Sequence, residues 1–230
     1  MRLNGCSRPE NEASSLFIIQ FFIIHFPLNR YLLLSARALS SVFRPEFFPL
    51  VGYIVLFTAT YMALLPWQFK VLILLLVGLG TVVLPRLTIR MWRRANHMER
   101  HLLRLRQNRF FPYLVYILYY AFMLHLLHRF HLPSFMSGII VGSLMIQTAC
   151  AFINLKWKIS MHCAGAGGAI GALLAYSFLF SFNPLWWLCL CLLIAGLVGT
   201  SRMLLRQHTL GEIVGGNVVG IVFGFLGIIL

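Results

Sequence analysis

Residues 209–229 read TLGEIVGGNVVGIVFGFLGII, a stretch in which Glu212 is the single charged residue. A run of about 20 mostly apolar residues is long enough to cross the hydrocarbon core of a bilayer as a helix. Gly216, Gly220 and Gly224 recur at intervals of four, so they lie on one face of that helix. Small residues at this spacing allow membrane helices to approach closely. The stretch therefore predicts a transmembrane helix that packs inside a bundle.

The rest of the chain has the same character. Apolar residues make up 60% of the 230 residues, charged residues make up 10%, and the mean hydropathy is +0.85. Ordinary soluble proteins have about 45–50% apolar and about 25% charged residues. This composition excludes a soluble globular enzyme, a disordered protein and a disulfide scaffold. We predict an all-α fold, a polytopic transmembrane helix bundle. The predicted spans are 47–66, 69–91, 110–128, 133–153, 162–182, 185–202 and 209–229.

The amino-terminal part is more polar. Arg30, Arg37 and Arg44 are spaced by seven, so on a helix they form one stripe beside apolar residues. This pattern predicts an amphipathic helix that lies along the membrane interface. The alternative is an upstream extension that does not order. We divide the chain into a polar tail with this interfacial segment, residues 1–45, and a transmembrane domain, residues 46–230.

The charge balance restricts the chemistry. There are 19 lysines and arginines against five acidic residues, a net charge of +14, and all five acids are glutamates. Without aspartate, an aspartyl-phosphate mechanism is excluded, and a two-metal hydrolase would lack its usual carboxylates. Arginine is the preferred bidentate partner of phosphate and carboxylate. The composition thus favours an anionic substrate or anionic lipids as partners over nucleic acid, and we predict neither a metal nor a cofactor.

Two clusters of ionisable residues stand at the ends of predicted spans, where such residues are costly and often functional. The first cluster is 156–168 and the second is 201–212. In the second, His208 and Glu212 are four residues apart and share a helical face. A carboxylate there can hold one ring nitrogen and leave the other as a nucleophile. The alternative for the pair is a purely structural hydrogen bond.

Further residues in the clusters complete a set suited to phosphoryl transfer. Arg202 precedes His208 by less than two turns, and His162 offers a second imidazole as general acid. Ser160 is placed to cap the helix that begins near His162, where backbone N–H groups form an anion site. A nucleophile, an orienting carboxylate, an acid and cationic clamps are the parts that phosphoryl transfer without a metal needs.

The second cluster resembles a known motif. Ser201-Arg202, five residues, His208, three residues and Glu212 are similar to the third motif, SRxxxxxHxxxD, of the type 2 phosphatidic acid phosphatase (PAP2) superfamily. Glu212 stands where the family has aspartate. The resemblance implies that His208 is the nucleophile that forms a phosphohistidine, that Glu212 orients it, and that Arg202 binds phosphoryl oxygens.

The other two motifs of the family have weaker counterparts. Ser160-Met161-His162 resembles PSGH, although Ile159 and Met161 replace its Pro and Gly. The resemblance implies that His162 protonates the leaving alkoxide and that Ser160 binds phosphate. The arginines before the third span resemble the first motif, KxxxxxxRP, in a degenerate form that ends at Pro112. Its candidate phosphate-binding bases are Arg104, Arg106 and Arg109, of which we choose Arg106 and Arg109.

The predicted topology is consistent with this resemblance, since two crossings separate each motif from the next and all three then lie at one membrane face. The resemblance implies a six-helix core, here with an additional amino-terminal span and the interfacial segment. It also implies a multi-pass lipid phosphate phosphatase, without a cofactor, expected in a bacterial inner membrane and acting on a lipid phosphomonoester or diphosphate. The alternative is a degenerate member of the same fold that binds phosphate or lipid without turnover.

Overall fold

The computed structural model describes residues 30–97, 110–130 and 132–230. Within these ranges the chain is helical and contains no strand, which confirms the predicted all-α fold. Seven of its segments are long and apolar enough to cross a membrane, and the first of them, Arg30–Thr58, contains a break. The α-helices are α1 (Arg30–Val42), α2 (Phe48–Ala59), α3 (Trp67–Gly78), α4 (Leu84–Ala95), α5 (Phe110–Arg129), α6 (Ser134–Lys156), α7 (Met161–Phe180), α8 (Leu185–Leu204) and α9 (Leu210–Ile229).

Prolines mark the helix boundaries. Pro66, Pro133 and Pro184 each occupy the N-cap position before α3, α6 and α8, as their sequence positions predict. Pro85 lies inside a longer span, because α3 and α4 are joined by one π-helical turn, Leu79–Val83. A proline ring clashes with the carbonyl of a regular helical turn before it, so the wider turn accommodates Pro85 without ending the span.

The first predicted span is shorter than expected. Helix α2 ends at Ala59, and a 3₁₀ turn, Tyr61–Leu64, completes the path towards Pro66. Before it, α1 ends at Val42 and the backbone is extended at Arg44. The predicted amphipathic segment thus forms a helix with Arg30 and Arg37 exposed, but Arg44 lies beyond its end. Its position relative to the membrane interface stays a prediction.

Helices α7 and α9 run in parallel and nearly touch. A Cβ atom added to Gly216 would lie 2.7 Å from the carbonyl oxygen of Ser160, and Gly220 and Gly224 face Ala164 and Gly168 in the same way. Helix α6 packs antiparallel to α9 through a similar contact of Gly138. These close approaches are those predicted from the four-residue glycine spacing. They make α6, α7 and α9 the centre of the bundle.

A buried ion pair joins the start of α2 to two other helices. The Glu46 carboxylate accepts a hydrogen bond of 2.7 Å from Arg86 Nε in α4 and one from the Tyr116 hydroxyl in α5. Arg44 lies 3.9 Å from the same carboxylate, and the Arg86 guanidinium stacks 4.7 Å from the Phe47 ring centre. Removing one partner of such a pair leaves a buried charge, so the cluster fixes the position of α2.

Candidate active site

The carboxy-terminal helix begins with a capping box. Thr209 is the N-cap of α9, and its hydroxyl accepts a hydrogen bond of 3.4 Å from the backbone N–H of Glu212. The Glu212 carboxylate in turn accepts one of 3.4 Å from the backbone N–H of Thr209. The sequence T-x-x-E is the usual signature of this arrangement. It holds the backbone and the carboxylate of Glu212 in place at the start of α9, four residues after His208.

His208 and Glu212 form the contact predicted from their spacing. His208 Nδ1 lies 2.6 Å from Glu212 Oε2, with the two side chains 2% and 11% exposed. An ionised carboxylate can only accept, so it selects the tautomer with the proton on Nδ1. The lone pair is then on Nε2, the nitrogen suited to nucleophilic attack. The geometry therefore satisfies the first requirement of a histidine nucleophile.

The loop that carries His208 makes a tight turn after α8. Arg206 has a φ of 52°, in the left-handed region. Its backbone N–H bonds the carbonyl of Met203 at 2.8 Å, and that of Gln207 bonds the carbonyl of Arg202 at 3.1 Å. A residue in this conformation commonly closes a helix carboxy terminus. The turn brings His208 back towards α7 within a few residues of Arg202.

The linker between α6 and α7 lies against this loop. The backbone N–H of Ser160 donates to the carbonyl of Glu212 at 3.3 Å, so the second and third motifs meet at one end of the bundle. His162 is half-buried in the first turn of α7, two residues beyond Ser160. The starts of α7 and α9 thus come together, which is the arrangement that the predicted topology requires.

One expectation for Ser160 is wrong. Ser160 occupies the N-cap position of α7, but its side chain makes no capping hydrogen bond. Its hydroxyl instead donates to Cys163 Sγ at 3.3 Å, and the residue is fully buried. The thiol lies one turn further along α7, and the side-chain orientation that directs the hydroxyl at it forms no bond with the backbone amides. The phosphate-binding role predicted for Ser160 therefore needs a rotation of its side chain.

Arg202 contacts α1, a helix that no sequence motif connects to the site. Arg202 Nη1 donates to the hydroxyl of Ser40 in α1 at 2.8 Å. Ser40 is buried, and Phe43, just beyond α1, packs beside Cys163 and Ile213. The end of α1 thus forms part of the wall around Arg202. No short motif signals this contact, because it joins residues that are far apart in the sequence.

Lys158 also belongs to this region, although no sequence motif assigns it a role. Its ammonium donates to the backbone carbonyl of Gln207 and lies 4.0 Å from Glu212 Oε2. The predicted phosphate-binding bases Arg106 and Arg109, and the alternative Arg104, lie outside the described residues. Among the described residues, His208 and Glu212 are in direct contact, Lys158 lies 4.0 Å from the Glu212 carboxylate, and Arg202, Ser160 and His162 lie on adjoining segments.

An apolar cavity begins beside the α7 amino terminus. Its volume is about 500 Å³, and its walls come mainly from α2, α6 and α7. Met161, between Ser160 and His162, lines one end, and Phe180 lines the other. Glu46 and Gln147 are among its few polar wall residues. A cavity of this shape and polarity is suited to a hydrocarbon chain.

Comparison with known proteins gives one match. No curated protein and no solved structure matches the chain. The family model of the PAP2 superfamily matches residues 144–230. This region contains both the Ser160-Met161-His162 segment and the segment from Ser201 to Glu212. The match agrees with the resemblance predicted from the motifs: residues 144–230 are similar to the PAP2 superfamily.

Proposed function

We propose that this protein is a membrane-embedded lipid phosphate phosphatase that works through a phosphohistidine on His208. The observation that carries the proposal is the buried 2.6 Å contact between His208 Nδ1 and Glu212 Oε2. The match to the PAP2 superfamily supports a phosphatase-type activity. Seven segments of the described residues are long and apolar enough to cross a membrane, and an apolar cavity lies beside Met161; both support a substrate with a hydrocarbon chain.

The first chemical step is attack on phosphorus. His208 Nε2 forms the P–N bond while the P–O bond to the lipid alcohol breaks, in line with the attack. Positive charge develops on the imidazole, and Glu212 stabilises it. The alkoxide takes its proton from His162, acting as general acid. Arg202 and the bases of the first motif balance the charge on the phosphoryl oxygens.

The second step returns the enzyme to its starting state. Water attacks phosphorus, its proton passes to His162, and the P–N bond breaks to release inorganic phosphate. With a lipid diphosphate, the same sequence releases a lipid monophosphate in the first step. His208 is neutral again, with its Nδ1 proton directed at Glu212 as before.

A second candidate function is binding without turnover by a degenerate member of the fold. The substitutions at Ile159 and Met161, together with the engagement of the Ser160 hydroxyl by Cys163, favour it. The two candidates differ in one observable. A phosphatase releases phosphate, whereas the degenerate protein binds a lipid phosphate and leaves it intact.

The deciding experiment measures phosphate release by purified protein in detergent. The panel contains phosphatidic acid, phosphatidylglycerol phosphate, a polyprenyl diphosphate and a lipid A phosphate. We expect release from at least one lipid by the wild type and none by His208→Ala. His125→Ala, which removes an exposed histidine on α5, serves as the control and keeps full activity. Full activity of His208→Ala would refute the phosphohistidine mechanism, and binding without release by the wild type would favour the second candidate.

A further inference from the structure

Three residues of the α6–α7 linker contact the start of α9 or the loop before it: Trp157, Lys158 and Ser160. The indole ring of Trp157 lies over Gly211 and Gly215, where an added Cβ atom would come within 3.6 and 2.8 Å of it. Lys158 contacts the loop before α9, and Ser160 donates its backbone N–H to Glu212. Between them Ile159 is fully buried. The linker is thus a fixed support for the residues that precede and open α9.

Lys158 is the charged residue of this linker. Its ammonium contacts the residue before His208 and lies near the carboxylate that holds the His208 imidazole. The carbonyl that accepts from its ammonium belongs to Gln207, so the bond holds the peptide unit that leads into His208. On the other side the ammonium lies 4.0 Å from Glu212 Oε2, the oxygen that holds His208 Nδ1. The lysine side chain is 33% exposed, so its Coulomb interaction is partly screened and the geometric effect dominates.

We propose that Lys158 is a positioning residue that fixes His208 for attack, a role that lies outside the three family motifs. By holding the Gln207 carbonyl it prevents the loop from moving away from Glu212, and it keeps the imidazole in its buried position. The proposal rests on the proposed function for its catalytic consequence, but the positioning itself is a property of the resting protein.

The first arm of the test measures that position without turnover. Diethyl pyrocarbonate modifies exposed, neutral histidine, and peptide mass spectrometry reports the extent at His208. In wild type this side chain is 2% exposed and should react slowly. We expect Lys158→Gln to accelerate modification at least threefold, and Lys158→Met, which keeps an unbranched side chain, to do the same. Lys156→Gln removes an exposed lysine from the end of α6 and leaves the rate unchanged.

The second arm measures steady-state kinetics on the lipid phosphate that the panel identifies. A loss of positioning lowers kcat, by about 10–100-fold for a displacement on the order of 1 Å, and changes KM less than threefold. Lys158→Arg can donate to the same carbonyl and recovers part of kcat. A rise in KM with kcat unchanged would instead make Lys158 a substrate-binding residue and overturn the proposal.

The two arms separate the proposals. If the wild type releases no phosphate while Lys158→Gln still exposes His208, the phosphatase function fails and the positioning role stands. If modification of His208 is equally slow in the wild type, Lys158→Gln and Lys158→Met, the positioning role is refuted whatever the activity. Should Lys158→Gln not fold, Lys158→Met decides the first arm.

Discussion

Replacing Glu212 by glutamine tests the His208–Glu212 pair most directly. The introduced amide has the same shape as the carboxylate but no charge, so it cannot stabilise the positive imidazole of the transition state. With Nδ1 and Oε2 2.6 Å apart, the two charge centres are ~4 Å apart, and at an effective dielectric of about 20 their interaction is about 4 kcal/mol. Since about 1.36 kcal/mol is tenfold in rate, we expect kcat to fall about 10³-fold, within the range of about 10²–10⁴ for a lost orienting partner.

The capping role of Glu212 has to be separated from its role in catalysis. In the Glu212→Gln variant the side-chain carbonyl can still accept from the Thr209 N–H, as Glu212 Oε2 does in the wild type at 3.4 Å. We therefore expect the unfolding temperature of Glu212→Gln to lie within a few degrees of that of the wild type. Thr209→Ala gives the opposite result, a stability loss of about 1 kcal/mol from the missing cap with a nearly unchanged rate.

The assay is the initial rate of phosphate release at saturating lipid phosphate, with thermal unfolding followed on the same preparations. Glu212→Asp is included because the family has aspartate there, and its shorter side chain has to reach His208 from the same backbone position. We expect its rate to lie between those of wild type and Glu212→Gln. A rate for Glu212→Gln within threefold of wild type would refute the pairing as a catalytic device.

Three further predictions concern the cavity, the helix contact and the metal requirement. Ala169→Phe fills the cavity and should raise KM for a long-chain lipid phosphate at least fivefold but not for a short-chain one, whereas Ala121→Phe on the exposed side of α5 should change neither. Gly216→Ala places a Cβ atom 2.7 Å from the Ser160 carbonyl and should cost about 1–3 kcal/mol of stability and most of the activity. Gly196→Ala meets nothing within 4 Å and should cost neither, so equal effects of the two changes would contradict the packing argument. Turnover should persist in EDTA and be inhibited by vanadate, because side-chain cations supply the charge, and a loss that Mg²⁺ restores would contradict the histidine mechanism.

Sequence patterns were sufficient for features that depend on local spacing. Hydropathy located seven spans, with the largest error at the first: the predicted span is 47–66, whereas the segment long and apolar enough is Arg30–Thr58, and a 3₁₀ turn replaces the end of α2. The four-residue interval predicted the contact between His208 and Glu212, but His208 lies in the loop before α9, so the capping box at Thr209 and not a helical turn brings the two side chains together. The same stretch contains the T-x-x-E signature of a capping box, which begins at Thr209. The spacing argument assigned Glu212 only to His208 and did not include its capping of α9.

Contacts between distant segments were not predictable in this way. Two such contacts depend on the register between helices, which the periodicity of one sequence does not contain. They are the contact of Arg202 with Ser40 and that of Lys158 with Gln207. The Ser160 cap failed for a different reason. A serine at an N-cap position usually accepts from the helix, but here the hydroxyl is directed at the Cys163 thiol, to which it donates, and it accepts no bond from the backbone amides. The roles predicted for the site residues all stay predictions: His208, His162, Glu212, Arg202, Ser160, Arg109 and Arg106.

The parallel packing of α7 and α9 places two helix amino termini beside the candidate site. Both helices begin at the same end of the bundle, at Met161 and Leu210, and both therefore direct the positive end of their dipoles there. Glycines keep the two axes so close that the two helix starts adjoin His208. The glycine stripe that first indicated a membrane helix thus also sets the distance between these two helix starts.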